Sequence, residues 1–231
     1  MKQKEILSNI QPNNEISMDE IGNEHIATSL ETPLRGDAFE KDDNLKIELI
    51  EKHFREIMQI LGLDLTDDSL KGTPLRVAKM YVQEIFSGLH PENRPETRLF
   101  NNKFEYNELL VEKDITFFSN CEHHFVPFFG KAHVAYMPKD KVIGLSKINR
   151  IVQYYAKRPQ VQERLTVQIA NDLKEALGTE DVAVVIDANH LCVSSRGVND
   201  TNSSTVTGHY SGKLQEENYK KEFLSYLRIK N

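Results

Sequence analysis

The sequence has few cysteines and no long apolar runs. Its 231 residues include only two cysteines, Cys121 and Cys192, too few for the disulfide framework of a small secreted domain. No stretch approaches the roughly 20 apolar residues that a membrane helix needs, and the opening MKQKEILSNIQPNNE lacks the apolar run of a secretory signal. We therefore expect a cytosolic protein without a membrane partner, in which thiols serve metals or catalysis more often than crosslinks.

The chain also lacks a surplus of basic residues. Its formal net charge is −6, and residues 1–44 account for all of it, because ten acids face four bases there. The remaining 187 residues balance at 25 acids and 25 bases. Such a body can hold a local basic pocket, but it does not present the broad basic face that nucleic-acid binding requires. We expect no nucleic-acid partner.

The chain divides into three parts by pattern. Residues 1–43 are acidic, show no sustained periodicity and are predicted to be a disordered tail. Residues 44–111 carry apolar side chains at helical spacing and are predicted to form an N-terminal helical region. Residues 112–231 mix strand and helix patterns and carry the residues with chemical potential. An apolar fraction of 39% gives the chain enough material for a core.

Two helices are predicted in the second part. The first follows Asp43 and Asn44, which are candidate caps, and ends at Gly62. The second has Thr73 as its cap and a proline in its first turn, and it runs up to Gly88.

The third part begins with alternating apolar and polar residues, which predict antiparallel strands. Two helices follow, the first with Ser146 as its N-cap and the second stopped by Gly178. A β-branched run from Asp181 predicts a further strand, extended through His190 and Cys192. Strands on both sides of two helices, then a last strand and a terminal helix, indicate an α+β fold.

The motif Cys-Glu-His-His at residues 121–124 is a candidate metal site. Cys121 and His124 have the Cys-x-x-His spacing that can place both donors on one zinc ion. Cys192 would lie on the same strand face as His190 and could add a second thiolate. Two cysteines and one histidine leave a coordination position for water, which is typical of catalytic zinc. The spacing fits equally well a buried apolar Cys192 and solvated histidines.

Two histidines flank this ligand set. His123 and His190 would be available for proton transfer if zinc is bound, because a histidine changes charge near neutral pH. Either could instead be a hydrogen-bonded bystander, which is the more common fate of a single histidine.

A candidate phosphate site begins at Ser146. A helix N-terminus offers unpaired N–H groups, and Lys147 and Arg150 share one face of that helix. Arg196, four residues after Cys192, could add a further cation. In isolation, an ordinary helix with two exposed bases explains the pattern as well.

Four further residues are ambiguous when taken alone. Gln162 and Glu163 lie in the first turn of a helix, where the macrodipole keeps a carboxylate ionised. Such a carboxylate can accept two parallel hydrogen bonds, as from the N1–H and 2-amino edge of guanine. Arg76 and Lys79 project from the second helix and are, by themselves, ordinary solvated bases.

Several long motifs occur in a fixed order: GTPLRVAKMYVQEIFSGL, CEHHFVP, GLSKINRIV, RPQVQERLT and HLCVSSRG. Together they resemble the GTP cyclohydrolase I family, from about residue 45 to the C-terminus. The resemblance implies hydrolytic opening of the imidazole ring of GTP at C8, with zinc activating the water. It implies formate and 7,8-dihydroneopterin triphosphate as products, at the start of folate or tetrahydrobiopterin synthesis.

The resemblance also implies roles for the residues above. It assigns Cys121, His124 and Cys192 to zinc, and His123 and His190 to proton transfer.

For the substrate, the resemblance assigns Glu163, with Gln162, to the guanine. It assigns the triphosphate to a hydroxyl group and five cationic side chains, namely those of Ser146, Lys147, Arg150, Arg196, Lys79 and Arg76.

The family fold is the tunnelling fold, an antiparallel sheet with helices packed on one face, here preceded by an N-terminal helical segment. The resemblance makes residues 112–231 the catalytic region of this fold. It further implies a homodecamer of two facing rings of five, with sites between subunits and with Arg76 and Lys79 reaching in from a neighbour.

Two other classes of function stay open on the residues alone. A zinc-stabilised binding module would use the cysteines and histidines only to hold its fold, although such a site normally has four protein ligands. A tunnelling-fold enzyme acting on a pterin or a deazapurine would share the fold, but it would not need the phosphate-binding cations.

Overall fold

The computed structural model describes residues 29–228, and the prediction of a disordered tail falls outside this range for residues 1–28. The helices are α1 (Asp43–Ile60), α2 (Thr73–Lys79), α3 (Leu145–Ala156), α4 (Gln162–Leu177), α5 (Leu191–Ser194) and α6 (Glu217–Arg228). The strands are β1 (Leu99–Asn101), β2 (Leu110–Cys121), β3 (Pro127–Tyr136), β4 (Lys141–Ile143), β5 (Pro159–Gln160), β6 (Val182–His190) and β7 (Thr205–Tyr210). Over the described residues, none of the helices combines the length and the apolar character that a membrane span requires.

Five strands form the main sheet, in the order β5-β2-β3-β6-β7. Neighbours from β2 to β7 are antiparallel, and β5 adds a short parallel pairing at the end of β2. This arrangement confirms the predicted α+β class. The two-stranded sheet of β1 and β4 was not predicted, because three residues are too few to show a period-two pattern.

The main core lies between one face of this sheet and the helices α3 and α4. Alternate residues of β3 and β6, such as Val134, Tyr136 and Val184, point into it, and α3 and α4 contribute Ile148 and Leu165. Full burial of each such side chain stabilises the fold by roughly 1.5–3 kcal/mol. Helices α3 and α4 therefore pack on one face of the sheet, as predicted.

The opposite face of the sheet is covered at one end by the C-terminal helix. Phe223 of α6 and Leu214 pack against Ala135 and Val185, which point away from the main core. This second cluster explains why the last segment of the chain is helical and apolar on one side.

Several predicted helix starts are wrong by one or two residues. The cap of α1 is Asp42, whose side chain accepts a hydrogen bond from the Leu45 N–H at 2.8 Å, rather than Asp43 or Asn44. Gly72 precedes α2, so Thr73 is already helical. Such errors are expected where neighbouring residues have similar capping ability, because the sequence alone does not show which of them is the cap.

Ser146 is not the cap of α3, because Gly144 occupies that position and has no side chain to bond. The predicted end of α4 is confirmed, since Gly178 has a left-handed φ of 63°. The second N-terminal helix does not continue as an α-helix to Gly88, because a π-helical segment, Met80–Ile85, follows α2.

Residues 29–42 contain no helix or strand but contact the body of the protein. The Arg164 Nε donates to the Ser29 carbonyl at 2.9 Å, and Gln168 Nε2 donates to Glu31 at 2.6 Å. The Phe39 ring meets the His90 ring edge-on, at a centroid distance of 5.0 Å. The boundaries predicted at residues 43 and 111 stay predictions.

A β-bulge interrupts β2 between Glu112 and Ile115, and a histidine is built into it. Asp114 adopts a left-handed φ of 61°, and its N–H donates to the buried His133 Nδ1 at 3.1 Å. Burial lowers the pKa of His133, although the nearby Asp114 and Asp187 act in the opposite direction. The neutral ring is therefore the form that fits this site.

We predict that His133→Asn reduces the acid sensitivity of the fold. The pKa of His133 is lower in the folded chain than in the unfolded chain, so the unfolded chain takes up the proton first as the pH falls. The contribution of the neutral His133 to the free energy of unfolding is therefore complete above about pH 6.5, and it decreases as the pH falls below that value. Asparagine can still accept the Asp114 N–H but does not titrate.

The measurement is the melting temperature between pH 7.5 and pH 5.5. We expect a smaller decrease in His133→Asn than in the wild type, whereas His53→Asn, at an exposed position of α1, should keep the wild-type slope. An unchanged slope in His133→Asn would contradict the assignment.

Candidate active site

The Cys-Glu-His-His motif forms a tight turn between β2 and β3. Cys121 ends β2, and its N–H donates to the Val126 carbonyl at 2.9 Å, while the Phe125 N–H donates back to the Cys121 carbonyl at 2.8 Å. Phe125 has a left-handed φ of 53°, which is unfavourable for a large side chain, and its ring packs on Phe86 at a centroid distance of 5.3 Å. The turn is therefore held from both sides.

The three predicted metal ligands converge. A ligand atom from each of Cys121, His124 and Cys192 lies within 4.8 Å of the others, and His124 Nδ1 is 3.9 Å from Cys121 Sγ. The prediction that Cys192 lies on a strand is wrong, because β6 ends at His190 and the helical turn α5 carries the cysteine. That turn brings its sulfur to the end of β2. Two thiols and an imidazole form a donor set that suits zinc.

Two of the three predicted ligands have shifted pKa values. Burial, together with the neighbouring Cys121, raises the pKa of the Cys192 thiol to about 11. Burial also lowers the pKa of His124, as do Arg196 and His123. A metal ion between the donors would stabilise the thiolates and use the neutral imidazole.

The two predicted proton-transfer residues are close to metal ligands in the chain, since His123 directly precedes His124 and His190 lies two residues before Cys192. His123 Nδ1 is 3.5 Å from Cys121 Sγ. His190 stacks face to face on Phe128, at a centroid distance of 4.7 Å and an interplanar angle of 1°. Burial lowers the pKa of His190, against the opposing effect of Glu163, so its ring is neutral near pH 7.

A buried ion pair anchors the ligand turn to α4. Arg164 donates to both carboxylate oxygens of Glu122, at 2.6 and 3.1 Å, and the Glu122 N–H donates to the Gln160 carbonyl at 3.0 Å. Bidentate pairing of this kind fixes the relative orientation of both side chains. Sequence reasoning found no role for Glu122 or Arg164, because the two residues are far apart in the chain and no local pattern links them.

The residues predicted to bind guanine differ in their surroundings. Glu163 is exposed in the first turn of α4, and its carboxylate makes no hydrogen bond or ion pair within residues 29–228. Gln162 is buried, and its amide is bonded within the protein, including to His190 Nε2 at 2.7 Å.

Among the predicted phosphate-binding residues, Arg196 lies at the ligand cluster, where its Nη1 is 2.9 Å from His124 Nε2.

The structure does not bring the predicted phosphate-binding residues 146–150 to the same cluster within one chain. Asn149 Nδ2 donates to Glu112 at 3.1 Å, so this end of α3 lies beside the beginning of β2. Cys121 is at the other end of that strand. At about 3.3 Å per residue, the two ends are roughly 25–30 Å apart. This exceeds the length of an extended nucleoside triphosphate.

Arg76 and Lys79 are also separate from the cluster. Both are exposed on α2, and Arg76 donates to Thr73 Oγ1 at 2.9 Å and to the Ser69 carbonyl at 3.2 Å. Within the described part of the chain, no hydrogen bond or ion pair joins either base to the ligand turn.

Comparisons with known proteins give one consistent result. The family profile described as GTP cyclohydrolase I matches residues 50–228. A GTP cyclohydrolase 1 of Flavobacterium johnsoniae is 58% identical over 217 residues, covering 94% of this chain and 97% of that protein. The proteins of the same name from Citrobacter koseri and Escherichia coli (strain K12 / DH10B) are 54% and 55% identical over 207 residues, each covering 89% of this chain and 93% of its own length.

Among solved structures, a crystal structure of the archaeosine synthase QueF-Like overlaps 45% of this chain and 93% of its own. Its TM-score is 0.38 at 19% identity, which is too low to support any inference about this chain.

We predict that Arg164→Leu destabilises the fold and loosens the ligand turn. The change leaves the mostly buried Glu122 carboxylate without its partner, and breaking such a pair costs roughly 3 kcal/mol. Metal affinity should fall by roughly 10- to 100-fold, because the support of one ligand is lost. Urea denaturation and metal competition with a chromophoric chelator measure the two effects.

The double variant Glu122→Leu/Arg164→Leu is the control for the ion pair. It removes the orphaned carboxylate and should be more stable than Arg164→Leu alone. If Arg164→Leu matches the wild type in both stability and metal affinity, the pair does not anchor the turn.

Proposed function

This chain belongs to the GTP cyclohydrolase I family of hydrolases, and we propose that it opens the imidazole ring of GTP by hydrolysis. The products are formate and 7,8-dihydroneopterin triphosphate, at the first step of folate or tetrahydrobiopterin synthesis. The convergence of Cys121, His124 and Cys192, with His190 two residues before Cys192, is the observation that carries this proposal. The cytosolic location expected from the sequence is part of it.

Zinc is the metal that we propose for the cluster. Two thiols and one imidazole are ligands that zinc prefers, and within the described residues the cluster contains no fourth protein donor. Cys121, His124 and Cys192 would hold the ion. When bound, zinc supplies a water activated for attack near neutral pH.

His190 and His123 are the residues that we propose to move protons. His190 is neutral because burial lowers its pKa, so it can accept a proton at neutral pH and return it to a leaving nitrogen. His123 is exposed next to the ligand turn, with its Nε2 3.9 Å from a Glu122 oxygen, and can exchange protons with solvent.

Glu163 is the residue that we propose to recognise guanine. Its carboxylate is exposed at the N-terminal turn of α4. It makes no hydrogen bond or ion pair among residues 29–228, so both of its oxygens can accept the N1–H and 2-amino groups of the base. Its position in the turn that begins at Gln162 keeps the base close to His190.

The triphosphate must be bound partly by another subunit if Lys147 and Arg150 contact it. The start of α3, which carries these bases, lies beside Glu112, roughly 25–30 Å along β2 from Cys121, and the bases form no ion pair within the described residues. Arg196, at His124, is the cation of the same chain. We therefore propose that Ser146, Lys147 and Arg150 serve the site of a neighbouring protomer.

The sheet has edges through which such neighbours can assemble. β5 covers only the last two residues of β2, and within the described chain β7 pairs on one side only. Unpaired strand edges are templates for pairing between chains. We propose edge-to-edge rings of five and a decamer of two facing rings, with Arg76 and Lys79 of α2 contributing to a neighbour's triphosphate site.

We predict that the zinc-loaded protein converts GTP to formate and a product that becomes a fluorescent neopterin after oxidation and dephosphorylation. Cys192→Ala should lose tight zinc binding and turnover together. His190→Ala should retain zinc and lose turnover by roughly 10²- to 10⁴-fold, because only proton transfer is removed. The absence of formate from zinc-loaded protein would sink the proposal, and normal turnover by His190→Ala would refute the role of that histidine.

We predict that two inactive variants restore activity when they are assembled together. Lys147→Ala and Cys192→Ala each damage a different contributor to a shared site. Random mixing of equal amounts leaves about a quarter of the sites with both wild-type contributors, because a head-to-tail interface takes one residue from each side. Co-expression followed by the formate assay measures the recovery.

The control is a mixture of His190→Ala with Cys192→Ala. Both residues belong to the same cluster of one chain, so mixed assemblies should stay inactive. Recovery in the control, or no recovery for the Lys147→Ala mixture, would contradict a site shared in this way.

A further inference from the structure

The side chain of Gln162 is fully enclosed at the start of α4. It is 2% exposed, and its amide nitrogen is surrounded by oxygen acceptors of the two last strands. These acceptors, with their distances, are the Ile186 carbonyl at 3.2 Å, the Thr205 carbonyl at 2.8 Å and the Thr207 hydroxyl at 3.1 Å. The nitrogen end of the amide is thus committed to the sheet.

These partners determine which way the amide points. Carbonyl oxygens can only accept, so the two backbone oxygens of Ile186 and Thr205 require the NH₂ group to face them. In a flipped amide, the Gln162 oxygen would face both carbonyl oxygens. None of these three oxygen atoms could then donate a hydrogen bond to another. The amide oxygen of Gln162 therefore points away from the sheet and toward His190, 2.7 Å from Nε2.

The neighbouring hydroxyls support the same orientation. Thr166 Oγ1 donates its single proton to the backbone carbonyl of Gln162 at 2.8 Å. Thr207 Oγ1, 2.7 Å from Thr166 Oγ1, must then be the donor in that contact. With its own proton used, Thr207 can only accept from Gln162, which again places the NH₂ group at the strands.

An acceptor at 2.7 Å fixes the proton on the histidine ring. Because the Gln162 oxygen cannot donate, His190 Nε2 must carry hydrogen, and in the neutral ring Nδ1 is then unprotonated. Stacking on Phe128 holds the ring plane at the same time. We infer that Gln162 is a positioning residue that fixes His190 as the Nε2–H tautomer and keeps Nδ1 free as a proton acceptor.

This inference rests on the proposed role of His190 and changes the predicted role of Gln162. The sequence reasoning placed Gln162 at the guanine beside Glu163, but its side chain is enclosed, its N–H groups are used by the strands, and its oxygen faces His190. Without the amide, the ring could present N–H from either nitrogen. The fraction with the wrong tautomer could not accept a proton through Nδ1.

The test compares Gln162→Leu with a matched change, Gln168→Leu. Both glutamines are buried in α4, but Gln168 bonds Gln160 and Glu31 and does not touch His190. Solid-state NMR of the zinc-loaded full chain with ¹⁵N-labelled histidine reports which ring nitrogen carries hydrogen. The His190 signals are identified by their loss in His190→Asn, and the spectra are recorded without GTP.

We expect the wild type and Gln168→Leu to show Nε2–H and a free Nδ1 for His190, and Gln162→Leu to show both tautomers. In the formate assay, kcat of Gln162→Leu should fall by roughly 10- to 100-fold, as for other residues that orient a functional histidine. KM for GTP and zinc content should stay close to wild type. Gln168→Leu should keep the wild-type kcat even if it melts at a lower temperature.

Three results would overturn the inference: hydrogen on Nδ1 in the wild type, a single Nε2–H tautomer retained in Gln162→Leu, or an unchanged kcat in that variant. The wild-type spectrum decides the first even if Gln162→Leu does not fold. Since the spectra need no substrate, a failed tautomer assignment is distinguishable from a failure of the proposed reaction on GTP.

Discussion

The ion pair between Glu122 and Arg164 joins the metal-ligand turn to α4, and the geometry of the site depends on this junction. Arg164 holds the turn that carries Cys121 and His124. Two residues earlier, at the start of the same helix, Gln162 binds β6, β7 and His190. One helical turn thus contacts both the β2–β3 turn and the strands β6 and β7 at the same end of the sheet, with the exposed Glu163 between the two contacts.

The residues proposed to bind the metal could be predicted from the sequence, whereas the contacts that position them could not. Cys121, His124 and Cys192 could be found because few residue types bind zinc through sulfur and imidazole, and because the chain has only two thiols. The path to Cys192 could not be found. A single helical turn after a strand carries no periodicity, so a run of apolar residues predicts a longer strand instead.

Contacts between distant segments explain most of what the sequence did not predict. Arg164 finds Glu122 across the fold, and Gln162 finds carbonyls of two strands that follow it in the chain. Neither contact leaves a local pattern. For the predicted phosphate-binding residues, the local motif around Lys147 suggests a ligand but not a location. Only the placement of α3 along β2 shows that the start of this helix is distant from Cys121.

The unusual backbone of Phe125 links the site to the N-terminal helices. A left-handed φ costs a large residue roughly 1–2 kcal/mol, and an aromatic pair adds roughly 0.5–1.5 kcal/mol beyond the burial of its surface. The ring of Phe125 rests on Phe86, which in turn rests on Tyr81 of the π-helical segment. The bend beside His124 is therefore supported by tilted aromatic contacts with the N-terminal region as well as by its own backbone hydrogen bonds. A substitution at Phe86 should therefore reach the residue next to His124 through side-chain packing.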